Sequence, residues 1–542
     1  MHKNGCIFAQ NSVQLLLCRV KDGFYPQITQ RTTDEICFRT RPDLSNLCDL
    51  WIVIWSFPDC KSLNPGLNRK GWGCSAMGLG KERLIELSVE NVAFGGNGVA
   101  RKDGFVFFVK GGLPGDKVTA RIFKKKKTYA ETAILEILEP SPDRIPAPCP
   151  YFGRCGGCKW QHALYSRQLE YKKRHVAEAL AHIASLPTAI VRETIPSESE
   201  YGYRNKMEFS FSTRPWLPPE EFAKGSKDEG FALGLHVPGT FDKVLDIEAC
   251  LLQPEAGNRI LRTLKRFAAT SGLPAYGIRS HEGFWRFLAV RHSSFLDEWM
   301  VNVITSVENR ETMEALSKEL LEECTGIGTI VNNISQRKAS IAVGEREVVL
   351  QGKGTITDRL GEFRFMISAN SFFQTNSRTA VKLYEKVAEY AELKGNERVL
   401  DLYSGTGTIP IFLSSRTGAE VLGMEINPTA VQDAEKNCRL NEISNCRFVI
   451  GDIRETLATS RFKPDVLVID PPRDGMHKDA LAAVLKLAAE RIVYVSCNPS
   501  TLARDLKSMS EDYEILEVQP VDMFPHTYHV EAVVKLVRRK GQ

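Results

Sequence analysis

The sequence predicts an α/β protein whose C-terminal part is a doubly wound sheet, preceded by an N-terminal OB-like β-barrel and a mixed α+β central domain. Three observations predict it. Apolar runs of the buried, parallel-strand type alternate with helical stretches from about residue 366 to the end. Short alternating runs broken by glycine turns fill residues 84–138. Between these regions the chain carries both patterns. At 542 residues it is too long for a single core, and 43% hydrophobic and 25% charged residues are ordinary for folded domains. The net charge of +5 permits a polyanionic partner without demanding one.

Residues 1–76 hold Cys6, Cys18, Cys37, Cys48, Cys60 and Cys74 without metal-like spacing and show no sustained period. They are expected to form a poorly ordered extension, either sequence upstream of a true start at Met77 or a lineage-specific addition. The apolar stretch Leu50 to Phe57 is far short of the roughly 20 residues of a spanning helix. A cytoplasmic protein with no membrane contact and no obligate protein partner is expected. In that reducing setting the 14 cysteines point to metal ligands, catalysis and packing rather than disulfides.

The barrel is placed at 77–140, with runs at Ile85–Val89, Gly104–Val109, Val118–Phe123 and Ala133–Ile137. Its four consecutive lysines, Lys124 to Lys127, read either as a solvated face or as a nucleic-acid grip. Five prolines between Pro140 and Pro150 mark a linker. The central domain is placed at 145–365, with a helical pattern from about His162 to Ile183 and an insertion at Pro215–Gly230. It carries Cys149, Cys155 and Cys158 in C-x5-C-x2-C spacing, with Cys250 as candidate fourth ligand. Four thiolates suit tetrahedral zinc or an iron–sulfur cluster, and spacing alone does not choose between them.

The last domain, 366–542, has strand runs at Val399–Leu402, Ala419–Met424, Val466–Asp470 and Arg491–Ser496. The first ends in Asp401-Leu402-Tyr403-Ser404-Gly405-Thr406-Gly407, and the second ends in Glu425, placed for ribose hydroxyls. A dinucleotide site wants a third glycine where Pro410 stands. S-adenosylmethionine carries no phosphate and does not need it. Asp401, Glu425 and Gly451-Asp452, the last suited to an adenine amine, favour that ligand.

Asp470-Pro471-Pro472-Arg473 and Ser496-Cys497-Asn498-Pro499 both close strands, where open α/β sheets keep their active sites. Cys497 can be packing, but between Asn and Pro its sulfur is expected to face the cleft. Carbon 5 of uracil is a poor nucleophile. Addition of a thiolate at carbon 6 puts electron density on carbon 5, which then accepts a methyl group, and a base must remove the carbon 5 proton. Cys497 is therefore expected to have a lowered pKa. Glu531 is favoured over His529 as the base.

Asp470-Pro-Pro-Arg, Ser496-Cys-Asn-Pro, Phe372-Phe-Gln-Thr-Asn and His529-Val-Glu together resemble the RNA 5-methyluridine methyltransferases. The resemblance covers roughly 82–540 and is most like the bacterial 23S ribosomal RNA (uracil-5-)-methyltransferases. It implies a class I methyltransferase sheet, Cys497 as nucleophile and Glu531 as base. It further implies that Gln374, Tyr403, Glu425 and Asp470, beside the Gly405 turn, contact S-adenosyl-L-methionine. A [4Fe-4S] cluster is implied on Cys149, Cys155, Cys158 and Cys250, and a TRAM domain, an RNA-binding module, at 82–140. Arg204 and Lys206, in a matching stretch of the central domain, are assigned to RNA phosphates. The partner is an RNA, ribosomal RNA favoured and transfer RNA possible, with the target uridine unstacked. Two other readings were open: a non-catalytic RNA-binding protein, and a nucleic-acid N-methyltransferase. The latter shares an acidic-Pro-Pro motif but normally follows it with an aromatic and needs no cysteine.

Overall fold

The computed structural model describes residues 84–217, 222, 225 and 230–539, and the backbone of 27–32 and 35–39. The chain divides into two compact units, Met1–Gly78 and Leu79–Gln542. In the first, β1 (Gln27–Thr32) pairs antiparallel with β2 (Glu35–Arg39). The remaining expectations for 1–76, and most of the Pro215–Gly230 insertion, lie outside the described residues.

The second unit opens with β3 (Leu84–Val92), β4 (Gly98–Lys102), β5 (Phe105–Lys110), β6 (Lys117–Lys125) and β7 (Tyr129–Glu139). They close into a barrel in the order β3-β4-β5-β7-β6. Alternate residues Leu87, Val89, Phe107, Val109, Val118 and Ala120 fill its interior. The β4–β5 hairpin turns on Asp103-Gly104, both at positive φ (51° and 74°), the pairing tight hairpins favour. Of the lysine run, Lys124 is paired with Glu131 at 2.7 Å and Lys125 lies 5.4 Å from the Phe105 ring. The barrel is tied to the proline linker by buried Asp116, which accepts from the amides of Leu113 and Ser141 and from Arg144.

The central sheet has seven strands: β8 (Lys206–Ser212), β9 (Ala232–His236), β10 (Val244–Asp246), β11 (Trp285–Ser293), β12 (Glu298–Thr305), β13 (Ile327–Ile334) and β14 (Arg346–Gln351). Its order is β10-β9-β8-β11-β12-β13-β14, with β12–β13 the parallel pair. Ile260, Leu261 and Leu264 on one helix and Met313, Leu316 and Leu320 on another cover it with one core. The helix α1 (Tyr165–Ala179), read from sequence with this domain, packs elsewhere: Val176 and Ala179 share a core with the C-terminal sheet.

That sheet comprises β17 (Val399–Leu402), β18 (Val421–Glu425), β19 (Cys446–Ile450), β20 (Val466–Ile469), β21 (Arg491–Ser496), β22 (Tyr513–Val521) and β23 (Glu531–Arg538), after a hairpin β15 (Thr355–Leu360) and β16 (Phe363–Ser368). The order is β19-β18-β17-β20-β21-β23-β22, parallel from β19 to β21 and antiparallel at β23 and β22. Successive residues of the central strands point to opposite faces. Leu400, Leu467 and Ile492 enter one core with Leu481 and Leu502, while Val399, Val466 and Val493 enter another with Leu383 and Ile411. Helices thus cover both faces. The hairpin β15–β16, which spans residue 365, belongs to the second of these cores through Ile356, Phe365 and Ile367. Among the described residues no helix is long and apolar enough to cross a membrane.

Candidate active site

All the chemistry-bearing strand ends meet at one edge of the C-terminal sheet. Strands β21 and β23 run antiparallel with Ser496 opposite Ala532, so Cys497 and Glu531 are the next residues beyond the last rung. On the other side of β21, β20 runs parallel with Ile469 opposite Tyr494, and Asp470 follows at the same edge. The backbone turns sharply after Cys497. Asn498 caps the helix that begins at Pro499, its side chain accepting from the Ser500 amide at 3.0 Å and donating to the Arg473 carbonyl at 3.1 Å. The thiol is therefore held half-buried between a strand end and a helix start, against Asp470 and Glu531.

This neighbourhood overturns one expectation. The Cys497 pKa is not lowered: burial, then the nearby carboxyls of Glu531 and Asp470, push it up to about 11. Burial and Asp470 likewise raise Glu531 to about 8, and burial alone raises Asp470 to about 7. Arg473 opposes these shifts on both Cys497 and Glu531. His529 is held down to about 4 by burial and by the cations of Arg473, Lys172 and Arg204, so its ring is neutral at pH 7.

The adjoining loop after β17 completes the pocket edge. Tyr403 has a left-handed φ of 65°, a strained conformation for a bulky residue and one that clusters at functional sites. The Gly405 amide donates to Glu425 at 2.9 Å and the Asn427 amide to the other oxygen at 2.8 Å, fixing the carboxylate at the tip of β18. Gly407 (φ 78°) has no room for a side chain, since a Cβ would meet the Phe448 ring at 2.7 Å. The Phe372 carbonyl, two residues before Gln374, accepts from the Thr406 hydroxyl of this loop at 3.4 Å. Asp452 stands on the same rim but caps the helix at Ile453 and pairs with Arg454, which holds its carboxyl down at about 2. An adenine amine would have to compete with that pair.

Sequence alone missed what Asp401 is doing. It is buried, neither carboxyl oxygen has a partner of hydrogen-bond geometry, and the nearby Ser404 hydroxyl donates to the Asp401 main-chain carbonyl at 3.1 Å. Burial raises its pKa well above the usual carboxylate range. Three buried carboxyls (Asp401, Asp470, Glu531) thus crowd one strand edge, each pushed towards its neutral form, and a cationic ligand beside them would favour their ionised forms.

Comparisons with known proteins give this constellation its context. The tRNA (uracil-5-)-methyltransferase family model matches residues 293–539 and the TRAM domain model matches residues 81–135. An uncharacterised RNA methyltransferase of Chlorobaculum tepidum is 45% identical over 78% of this chain and 89% of its own. One from Bacteroides thetaiotaomicron is 41% identical over 82% of this chain and 99% of its own. The chain belongs to the RNA (uracil-5-)-methyltransferase family. Among solved structures, the Pyrococcus abyssi tRNA (uracil-54, C5)-methyltransferase in complex with S-adenosyl-L-homocysteine is similar at 30% identity. Its TM-score is 0.65, covering 84% of this chain and all of that one.

As a methyltransferase of this family the protein uses S-adenosylmethionine and acts on RNA, and its barrel is a TRAM domain. The cofactor carries a sulfonium and an ammonium charge, the cationic chemistry that the unpartnered Asp401 carboxylate and its neighbours fit.

The four cysteines expected to act together do come together. Cys149, Cys155, Cys158 and Cys250 line one cavity of about 720 Å³, with Arg204, Lys206 and Phe372 on its wall. Burial and neighbouring thiols push Cys158 up to about 12 and Cys250 up to about 11. Among the described residues no three His, Cys, Asp or Glu side chains are arranged to hold a metal ion, so ligand geometry does not bear out the metal expectation.

Proposed function

We propose that this protein methylates carbon 5 of a uridine in RNA through a covalent adduct of Cys497, with Glu531 as the base. The observation that carries the reading is the side-by-side placement of a thiol and a carboxyl at the ends of antiparallel neighbours β21 and β23. Cys497, its thiol proton lost to solvent, adds as the thiolate to carbon 6 as the carbon 5–carbon 6 electron pair moves towards the carbon 4 carbonyl oxygen, leaving carbon 5 nucleophilic. When bound, S-adenosylmethionine supplies the methyl group and a positive charge beside the carboxyls. Gln374, Tyr403, Gly405, Glu425, Asp452 and Asp470 hold it, together with Asp401, over a class I, doubly wound sheet. Glu531 then takes the carbon 5 proton, and that electron pair re-forms the double bond and expels the thiolate. Arg473 faces Cys497 and Glu531 and favours their charged forms. Domains are read at 77–140, 145–365 and 366–542, with 1–76 as an extension.

An N-methyltransferase needs no cysteine, which makes Cys497→Ala decisive. The variant should lose turnover by about 1,000-fold or more and form no denaturation-resistant adduct with 5-fluorouridine RNA, which wild type should form. An adduct that survives the substitution removes Cys497 from the mechanism.

For the cysteines we propose a [4Fe-4S] cluster on Cys149, Cys155, Cys158 and Cys250. Its support is the shared cavity, which brings four thiols from distant parts of the chain onto one wall. Four irons per chain in anaerobically prepared protein are expected; a single zinc would replace the cluster. Ribosomal RNA is the substrate favoured by a TRAM domain joined to such a centre. Transfer RNA is the second reading, favoured by the likeness to an archaeal tRNA methyltransferase. Mapping the 5-methyluridine lost from a deletion strain distinguishes them.

A further inference from the structure

The cysteine cavity and the catalytic edge are joined by a short segment, residues 201–205, that touches both. Its backbone is pinned to the residues that follow Cys250: the Gly202 amide donates to the Leu251 carbonyl at 2.9 Å and the Arg204 amide to the Leu252 carbonyl at 2.8 Å. Its side chains reach the other way. Asn205 donates through Nδ2 to the Gln374 carbonyl at 2.9 Å and through its amide to the Thr375 carbonyl at 2.8 Å. Buried Tyr203 donates its hydroxyl to the Pro525 carbonyl at 3.1 Å, and Tyr201 stacks on His526 at 4.3 Å.

A second tie reaches the same tail loop from the cysteine side. The amides of Lys159 and Trp160, immediately after Cys158, donate to the His526 carbonyl at 2.8 and 3.0 Å. His526 sits at a left-handed φ of 66°, five residues before Glu531. A non-glycine residue holds that conformation only where its surroundings fix it. Here those surroundings are the segments flanking Cys158 and the rings of the 201–205 segment.

We propose that Tyr203 and Asn205 are positioning residues, through which the four-cysteine site sets two loops: Asn205 the loop that carries Gln374, and Tyr203 the loop that leads to Glu531. The proposal rests on the reading of Gln374 and Glu531 as cofactor ligand and base. It makes the two loops separable. Asn205 acts on methyl-donor affinity and Tyr203 on the proton-abstraction step, while disturbing the cysteines acts on both, as linkage between coupled sites requires.

The test uses the full-length protein as isolated. Asn205→Ala, which removes the Nδ2 hydrogen bonds to the Gln374 carbonyl (2.9 Å) and the Ser377 hydroxyl (2.6 Å), should weaken binding of S-adenosylhomocysteine, measured calorimetrically without RNA, by about tenfold or more. Its kinetic loss should fall on the KM for S-adenosylmethionine. Tyr203→Phe should instead lower kcat by about five- to tenfold and move the pH limb set by the base. Hydrogen exchange supplies a readout independent of turnover. Removing bound metal with a chelator, or Cys250→Ser should none be bound, should speed exchange at 372–376 and 524–528 ahead of the central sheet. The proposal is overturned if Asn205→Ala keeps its affinity within twofold, if both variants lose kcat and KM in the same proportion, or if exchange in the two loops does not respond. Failure of the catalytic reading shows separately, as an absent 5-fluorouridine adduct alongside an intact Asn205 effect on binding.

Discussion

Replacing Glu531 by glutamine should make the protein inactive and, in a defined pH window, more stable. The carboxyl is buried, and burial together with Asp470 raises it from an ordinary 4.5 to about 8. A carboxyl raised on folding costs nothing below pH 4.5, where it is neutral in both states. The cost grows as the unfolded chain ionises and levels off once the folded group ionises too. At about 1.4 kcal/mol per pH unit, the penalty is about 1 kcal/mol at pH 5 and about 4 kcal/mol at pH 8. Part of it is shared with Asp470, so we expect Glu531→Gln to gain about 2–4 kcal/mol at pH 8. For a unit of this size that is roughly 2–4 °C in Tm, shrinking to about 1 °C at pH 5. In the same variant nothing removes the carbon 5 proton, so the RNA adduct should persist on denaturing gels with natural uridine. Multiple turnover should fall by about 100- to 10,000-fold. Equal melting differences at pH 5 and pH 8 would refute the buried-acid argument, and an adduct that clears at the wild-type rate would refute the assignment of the base.

Asp401→Asn tests the unpartnered carboxylate in the cofactor loop. S-adenosylhomocysteine affinity should fall about 10- to 100-fold, the range of a buried hydrogen bond to a charged group, while the ligand-free protein melts higher; an unchanged affinity would place Asp401 outside the cofactor site. Lys172 and Asp522 form an ion pair with both side chains fully buried, joining α1 to the tail loop. Lys172→Met should cost about 3–5 kcal/mol in urea unfolding, and pairing it with Asp522→Leu should restore most of the loss; an uncorrected double variant would mean that the pair does more than neutralise itself.

How much of this was legible in the sequence follows from what each interaction spans. The central strands of the C-terminal sheet read clearly, because parallel strands buried on both faces are continuous apolar runs and their ends carry the motif residues. Asp470, Cys497 and Glu425 were found that way. Strand β4 was lost in a glycine-rich turn region: Gly98-Val-Ala-Arg-Lys is too short to show a period before Asp103-Gly104 turns it back. The placement of α1 was also hidden, since its apolar stripe says that it packs but not on which sheet. The sign of the Cys497 shift failed for a similar reason. Along the chain its neighbours are Asn and Pro, whereas the groups that set its pKa, Glu531 and Asp470, arrive from other strands. The orphaned oxygens of Asp401 could not be seen at all, because being unpartnered is a property of the packed loop and not of any motif.

The pairing of thiol and base depends on one reversal in the sheet. In an all-parallel sheet every strand starts at the edge opposite the ligand cleft, and a residue opening the last strand would lie a strand length from Cys497. Strand β23 runs the other way and inserts between β21 and β22, so its first residue, Glu531, arrives at the edge where β21 ends. The Tyr513–Val521 strand runs out to the sheet's far flank, and the loop holding His526 and His529 returns the chain across it. That loop is where the buried Lys172–Asp522 pair, the Tyr203 hydroxyl and the amides after Cys158 all converge. Proton abstraction from carbon 5 needs a base fixed to within a hydrogen-bond length of the ring that Cys497 holds. The antiparallel strand brings Glu531 to the right edge, and the convergent contacts on its approach remove the slack that a loop of about nine residues would otherwise leave.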